Sequence, residues 1–217
     1  MSRDWPSEIT SRSVLFVEGK DEVNFFEAFA EQLGLSDLFV GDVGGVTHFP
    51  QRFEAALLNS GFGEYVRSYA IVRDADNNAQ STFQSVQSLL RNKGQPCPDA
   101  EGVFTTGTPR VGIFIIPGNT QSGMLESLCL ETVASHPIMK CVDTFMQCVA
   151  DSTKDTATNQ AAINSPPSNP HKARAKCFLS GIDRDFPSIG VAARAGVWNF
   201  NHSCMQKLRD FLMQLDS

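Results

Sequence analysis

Two short apolar runs, each stopped by a cluster of acidic residues, limit what this chain can fold into. The first is Val14-Leu15-Phe16-Val17, followed by Glu18-Gly19-Lys20-Asp21-Glu22. The second is Tyr69-Ala70-Ile71-Val72, followed by Arg73-Asp74-Ala75-Asp76-Asn77-Asn78. An uninterrupted apolar run of about four residues between turn signals reads as a strand buried on both faces. Such strands belong to open α/β sheets, whose ligand sites lie just past the strands' carboxyl ends. Carboxylates gathered there repel one another unless a cation neutralises them. The economical reading is a Mg²⁺ site serving phosphate chemistry.

The rest of the chain supports that frame. Periodic apolar residues predict helices over 21–33, 49–58 and 82–93, alternating with strands at 13–17, 38–40 and 69–72. Further strands are expected at 103–104 and 111–116, around the turn Thr106-Gly107-Thr108-Pro109. This alternation predicts an α/β fold with a mostly parallel sheet. After Gly123 the pattern turns helical, with stripes through Leu125, Leu128 and Cys129, through Val142, Phe145, Met146 and Val149, and through Met205, Leu208, Phe211, Leu212 and Leu215. Residues 151–170 are polar and hold Pro166, Pro167 and Pro170, which predicts a loop.

Composition excludes several classes. Hydrophobic residues make up 41% of the 217 and charged residues 19%, values of a globular chain with a sizeable core. No apolar run reaches the roughly 18–20 residues of a membrane span, and the amino terminus lacks an apolar signal core, so a cytoplasmic location is expected. The six cysteines never form a C-x-x-C pair and read as buried, reduced thiols. The net charge of −6 argues against a generic nucleic-acid binder, but it is unevenly spread. Residues 1–164 hold 11 Lys and Arg against 20 Asp and Glu, whereas residues 165–217 hold 7 against 4. Lys172, Arg174 and Lys176 could therefore meet a phosphate backbone; a solvated face is the plainer reading.

The candidate chemistry rests on the acidic groups. Glu22 lies four residues after Glu18, one helical turn on, so both can face one crevice. Asp74 and Asp76 are spaced i, i+2 and would point the same way if the strand stayed extended. Taken singly, each half is ordinary, because acidic residues are common at helix starts and in turns. Their joint placement after two apolar strands is what singles them out.

Apolar strand–Glu-Gly-Lys-Asp-Glu, followed about fifty residues later by apolar strand–Asp-x-Asp, resembles the TOPRIM domain. The likeness covers roughly residues 12–131 and is nearest the OLD and maturase-like branches. It implies a Rossmann-like three-layer sandwich, with residues 132–217 as a helical extension packed on it. It also implies that Glu18 acts as general acid or base and that Asp74 and Asp76 bind Mg²⁺ or Mn²⁺; their placement makes Glu18 and Glu22 expected ligands beside that pair. Gly123-Met124-Leu125-Glu126 resembles a Gly-x-Leu-Glu element of OLD-like proteins, which would make Glu126 a further ligand. No tyrosine-bearing topoisomerase region, P-loop or zinc-binding primase module is visible. Two expectations follow. One is a small metal-dependent nuclease or other phosphodiester enzyme acting on DNA or RNA. The other is a non-catalytic module that binds nucleic acid or protein in a defence or mobile-element system, with a protein partner such as an ATPase.

Overall fold

The computed structural model describes residues 5–118, 122–152, 166–182, 184 and 186–217. Four strands, β1 (Ser13–Val17), β2 (Leu38–Asp42), β3 (Ser68–Asp74) and β4 (Arg110–Ile116), form one sheet in the order β2-β1-β3-β4. Every pairing is parallel, so each connection has to cross a face of the sheet.

The crossovers make three layers. Helix α1 (Lys20–Leu33) joins β1 to β2. Helices α2 (Phe49–Leu57) and α3 (Phe62–Tyr65) lead to β3, and α4 (Ala79–Asn92) leads to β4. Side chains alternate along each strand. Leu15, Val17, Ala70, Val72, Phe114 and Ile116 therefore join the core under α1, while Val14, Phe16, Tyr69, Ile71 and Ile113 join the core under α2 and α4. This is the Rossmann-like α/β architecture expected from the sequence.

The carboxyl-terminal part is helical: α5 (Leu125–Thr132), α6 (Ile138–Ser152), α7 (Pro170–Gly181), α8 (Ile189–Arg194) and α9 (Gln206–Leu215). Residues from all five share one apolar cluster with α1 and one face of the sheet. Phe25 and Phe29 of α1 meet Phe200 at 5.3 and 4.5 Å between ring centroids. Phe211 of α9 stacks on Phe104 and Phe114. The carbonyl of Leu215 accepts hydrogen bonds from Ser13 and Ser68 at the amino ends of the two central strands.

Local signals explain most boundaries. Gly34 stops α1 with a left-handed φ of 73°, its N–H returning to Ala30 and Glu31. The Asn78 side chain accepts from the Ser81 N–H at 2.9 Å, so α4 starts at Ala79, three residues before the expected Thr82. The expected strand at 103–104 is not a member of the sheet. Phe104 makes one antiparallel bridge to Gly112, which a Cβ at Gly112 would disturb, since it would stand 2.6 Å from the Phe104 ring.

Three expectations fail on the outer helices. Cys141 and Cys148 are exposed on α6 rather than buried, although all six cysteines are free thiols. Phe145, expected inward, is 54% exposed. The reason is that α6 touches the core mainly through Met139 and Val142, so its apolar residues cover more of its circumference than its packing uses. Most of the loop expected at 151–170 lies outside the described residues.

Helix α8 was not legible as a helix, yet it packs closely on α1. Gly190 permits this: a Cβ there would stand 2.2 Å from the Asp21 carbonyl oxygen and 2.7 Å from the Asn24 Cβ. The Asp21 carboxylate accepts from the Gly190 N–H at 2.8 Å and from the Ser188 hydroxyl, so this member of the first acidic cluster holds α8 in place. Gly190→Ala should cost about 1–3 kcal/mol through overpacking, read as a lower urea midpoint at unchanged slope. An unchanged midpoint would mean that the α1–α8 contact is loose.

Candidate functional site

The strand order places β1 and β3 side by side at the centre. The chain leaves β1 toward β2 on one side and returns to β3 on the other, so a crevice opens between the carboxyl ends of β1 and β3. Phe16 stands opposite Ile71 in the register, and two residues further on come Glu18, just past the end of β1, and Arg73, the next-to-last residue of β3. These two meet: Arg73 Nε donates to Glu18 Oε1 at 2.5 Å, with the Arg73 side chain 9% exposed and that of Glu18 22%. Arg73 also lies over the Phe49 ring, its guanidinium carbon 5.6 Å from the centroid.

Asp74, the last residue of β3, points to the opposite face. Its Oδ1 accepts from the Leu125 N–H at 3.0 Å, the first residue of α5, where the helix dipole favours a negative group. Glu126 is the next residue of α5, and Glu22 the third of α1. Burial drives the Asp74 pKa well above the usual carboxylate range; Glu18, Glu126 and Glu22 push it further, against the Leu125 hydrogen bond. Glu22 is raised by burial and by Asp21, Glu18 and Glu126. Glu126 is raised by burial, while Lys172 and His171 pull the other way. Glu18 from the turn after β1, Glu22 from α1 and Glu126 from α5 thus all act on Asp74 at the end of β3.

Asp76 behaves differently from its extended-strand expectation. The strand ends at Asp74, and Asp76 sits exposed in the turn with a φ of 48°. Its backbone pairs with Gly123 in both directions, at 2.9 and 3.0 Å. This pairing ties the turn after β3 to the segment that leads into Glu126.

The donor chemistry suits a hard cation, since the available groups are carboxylate oxygens, which Mg²⁺ and Mn²⁺ prefer. Burial is the first cause of the raised carboxyl groups of Asp74, Glu22 and Glu126, and nearby acidic groups add to it. Among the described residues, however, no three Asp, Glu, His or Cys side chains are grouped tightly enough to form a ready-made cage. Glu18 is drawn aside to Arg73, and Asp76 stands out in the turn.

The rim of the crevice carries basic groups from α7. Lys172 Nζ lies 3.9 Å from Glu126 Oε1, and His171 Nδ1 lies 3.0 Å from Ser127 Oγ. Arg174 turns away to Asp143 at 2.6 Å. In the segment that follows β2, the Gly45 N–H donates to the Glu18 carbonyl at 2.7 Å. His202 Nδ1 and Cys204 Sγ stand 3.1 Å apart, but burial pushes the thiol up to about 11, so this pair offers no thiolate nucleophile at neutral pH. Arg73 is the functional residue that sequence reasoning passed over. Its signal was an arginine directly continuing a strand expected to be buried on both faces, where a charge needs a partner. No helix among the described residues is long and apolar enough to cross a membrane.

The fold is similar to the C-terminal region of the Burkholderia pseudomallei OLD protein, at 15% identity over 95% of this chain and 99% of that one, with a TM-score of 0.47. It is also similar to the C-terminal region of the Xanthomonas campestris pv. campestris OLD protein, at 14% identity over 94% and 97%, with a TM-score of 0.39. No curated protein matches the chain. A family model matches residues 12–216, spanning both the sheet and the helices that follow it, and the chain therefore belongs to the family described as Protein of unknown function (DUF3226).

Proposed function

We propose that this chain is a TOPRIM-type, divalent-metal-dependent phosphodiesterase acting on nucleic acid. The observation that carries the reading is that Glu18, Glu22 and Glu126 lie within electrostatic reach of Asp74 at the carboxyl edge of a parallel sheet. Glu22, Asp74, Asp76 and Glu126, with Glu18, are the residues that would hold Mg²⁺ or Mn²⁺. Such an ion, when bound, supplies positive charge for a scissile phosphate and its leaving oxygen. Glu18 carries the proton, and Arg73 fixes the orientation of its carboxylate. Asp74 is braced against α5 by the Leu125 N–H, so its carboxylate is held rigidly. Lys172 and His171 on the rim offer positive charge to the strand on either side of the cleaved bond.

The test is a cleavage panel of single- and double-stranded DNA and RNA, with Mg²⁺, Mn²⁺ or EDTA. Products should appear with metal, and Glu18→Gln and Asp74→Ala should each lower the rate by about 10²–10³-fold or more. Equal rates in the unaltered chain and both variants would sink the reading. One observation favours a second reading, a non-catalytic nucleic-acid or protein-binding module: Glu18 already has an internal counter-charge in Arg73. Metal-independent binding of the panel with no cleavage under any condition would establish that alternative.

A further inference from the structure

Arg73 has more hydrogen-bonding capacity than the protein uses. A guanidinium carries five N–H donors. The Nε bond to Glu18 is the one hydrogen bond this side chain makes among the described residues, although it is only 9% exposed. Its contact with the Phe49 ring compensates part of the buried charge but satisfies none of the Nη donors in the ring plane. Among the described residues the fully buried side-chain nitrogens without a partner are those of Arg174 and Arg209, so the free Nη donors of Arg73 keep contact with solvent. Arg73 also lines a hollow of about 410 Å³ between α2 and α4. Lys93, Asn92, Ser85 and Ser88 line it too, and no Asp or Glu is among its lining residues. Lys93 reaches across from the end of α4 to Glu54 of α2 at 2.7 Å.

We propose that this hollow is an oxyanion site, in which the Nη groups of Arg73 bind a phosphate group while its Nε keeps hold of Glu18. A planar fork of N–H donors matches two phosphate oxygens at once, and Ser85 and Asn92 add neutral donors from α4, while the Ser88 hydroxyl is committed to the Gln84 carbonyl. The phosphate has two possible sources, free inorganic phosphate or the backbone of a nucleic-acid strand that continues into the carboxylate crevice. The second source rests on the proposed function; the phosphate site itself does not. Because one guanidinium serves both places, an occupied hollow fixes the plane in which Glu18 is held.

Thermal denaturation in EDTA, with inorganic phosphate titrated against chloride at constant ionic strength, tests the site. The unaltered chain should show a saturable rise in melting temperature. Arg73→Lys keeps the charge but loses the fork, and should weaken phosphate binding by about tenfold or more. Ser85 is exposed and does not touch Glu18, so Ser85→Glu places a carboxylate in the hollow without disturbing that pair. It should weaken phosphate binding by a similar factor while the phosphate-free melting temperature stays put. Asp74→Asn should bind phosphate normally even though it cleaves nothing, which separates this proposal from the proposed function. In a fluorescence-anisotropy arm, competition between phosphate and a labelled oligonucleotide on the unaltered chain, lost in Ser85→Glu, identifies the strand as the source. Phosphate binding without competition identifies the free anion. No saturable rise beyond chloride, or the same rise in all variants, overturns the site and leaves Arg73 as a counter-charge for Glu18 with water on its remaining donors.

Discussion

Asp74→Asn should raise the melting temperature of the metal-free protein and remove the gain that Mg²⁺ or Mn²⁺ gives the unaltered chain. The Asn side chain keeps an oxygen that can accept from the Leu125 N–H, so the brace on α5 survives. What disappears is a buried negative charge that faces Glu18, Glu126 and Glu22. Asp74→Ala removes the acceptor as well and should cost about 1–3 kcal/mol by leaving the Leu125 N–H unmatched. The pH dependence follows with a definite sign. Burial and its acidic neighbours raise the Asp74 pKa in the folded state, so the folded chain holds this proton more tightly than the unfolded one. Its stabilising contribution is complete below the unfolded carboxylate pKa and is lost as pH rises through the folded value. Glu22 and Glu126 are raised too and add to the same slope. In EDTA the unaltered protein should therefore lose stability as pH climbs out of the ordinary carboxylate range, and Asp74→Asn should show a shallower decline. Saturating metal should reverse the slope, because ligands must be deprotonated to bind. Melting curves across pH with EDTA or excess Mg²⁺ decide this. A profile flat in both pH and metal, with Asp74→Asn weaker throughout, would make the carboxylates structural caps.

Phe211→Ala should be the most damaging single truncation in the helical portion. Its ring is 1% exposed and stacks on Phe104 at 4.9 Å and Phe114 at 5.2 Å, joining α9 to the edge strand. Loss of such a ring costs about 3–5 kcal/mol, a large part of the 5–15 kcal/mol that holds an ordinary domain together. For a chain of this length that is a drop of about 10 °C. The form of the transition matters as much as its midpoint. Helices after residue 132 share one apolar cluster with α1 and the sheet, so melting should remain a single event probed equally by far-ultraviolet circular dichroism and by the fluorescence of Trp198 in a Trp5→Phe background. A variant in which the two probes separate would divide the chain into two independently folding parts.

The sheet was legible because its central strands obey a simple rule: Val14–Val17 and Tyr69–Val72 are apolar throughout, and all are buried. The acidic residues were legible as strand-end groups for the same reason. Other features depend on contacts between distant residues and leave no local pattern. Glu18 and Arg73 are 55 residues apart, and Ser188 and Asp21 are 167 apart. Helix α8 has six residues, too few for an apolar period to stand out. In α1 the buried face is broader than one helical stripe, taking in Phe25 and Phe29 beside Phe26 and Ala30, because Phe200 packs on it from the distant carboxyl-terminal part. The turn at Asp76 was misread as extended because a positive φ at an Asp is set by its pairing with Gly123.

That pairing makes two distant stretches of chain into one mechanical part. The backbone of Asp76 and that of Gly123 exchange both of their hydrogen bonds, while Asp74 grips the first N–H of α5. A pull on the turn after β3 therefore drags the start of α5 with it, and the spacing between Asp74 and Glu126 is kept. The crevice has the character of a gauge of fixed span rather than a jaw. A ligand that fits it must bring its own flexibility, and a bent or locally melted strand would conform to such a gauge more readily than a stiff, straight duplex.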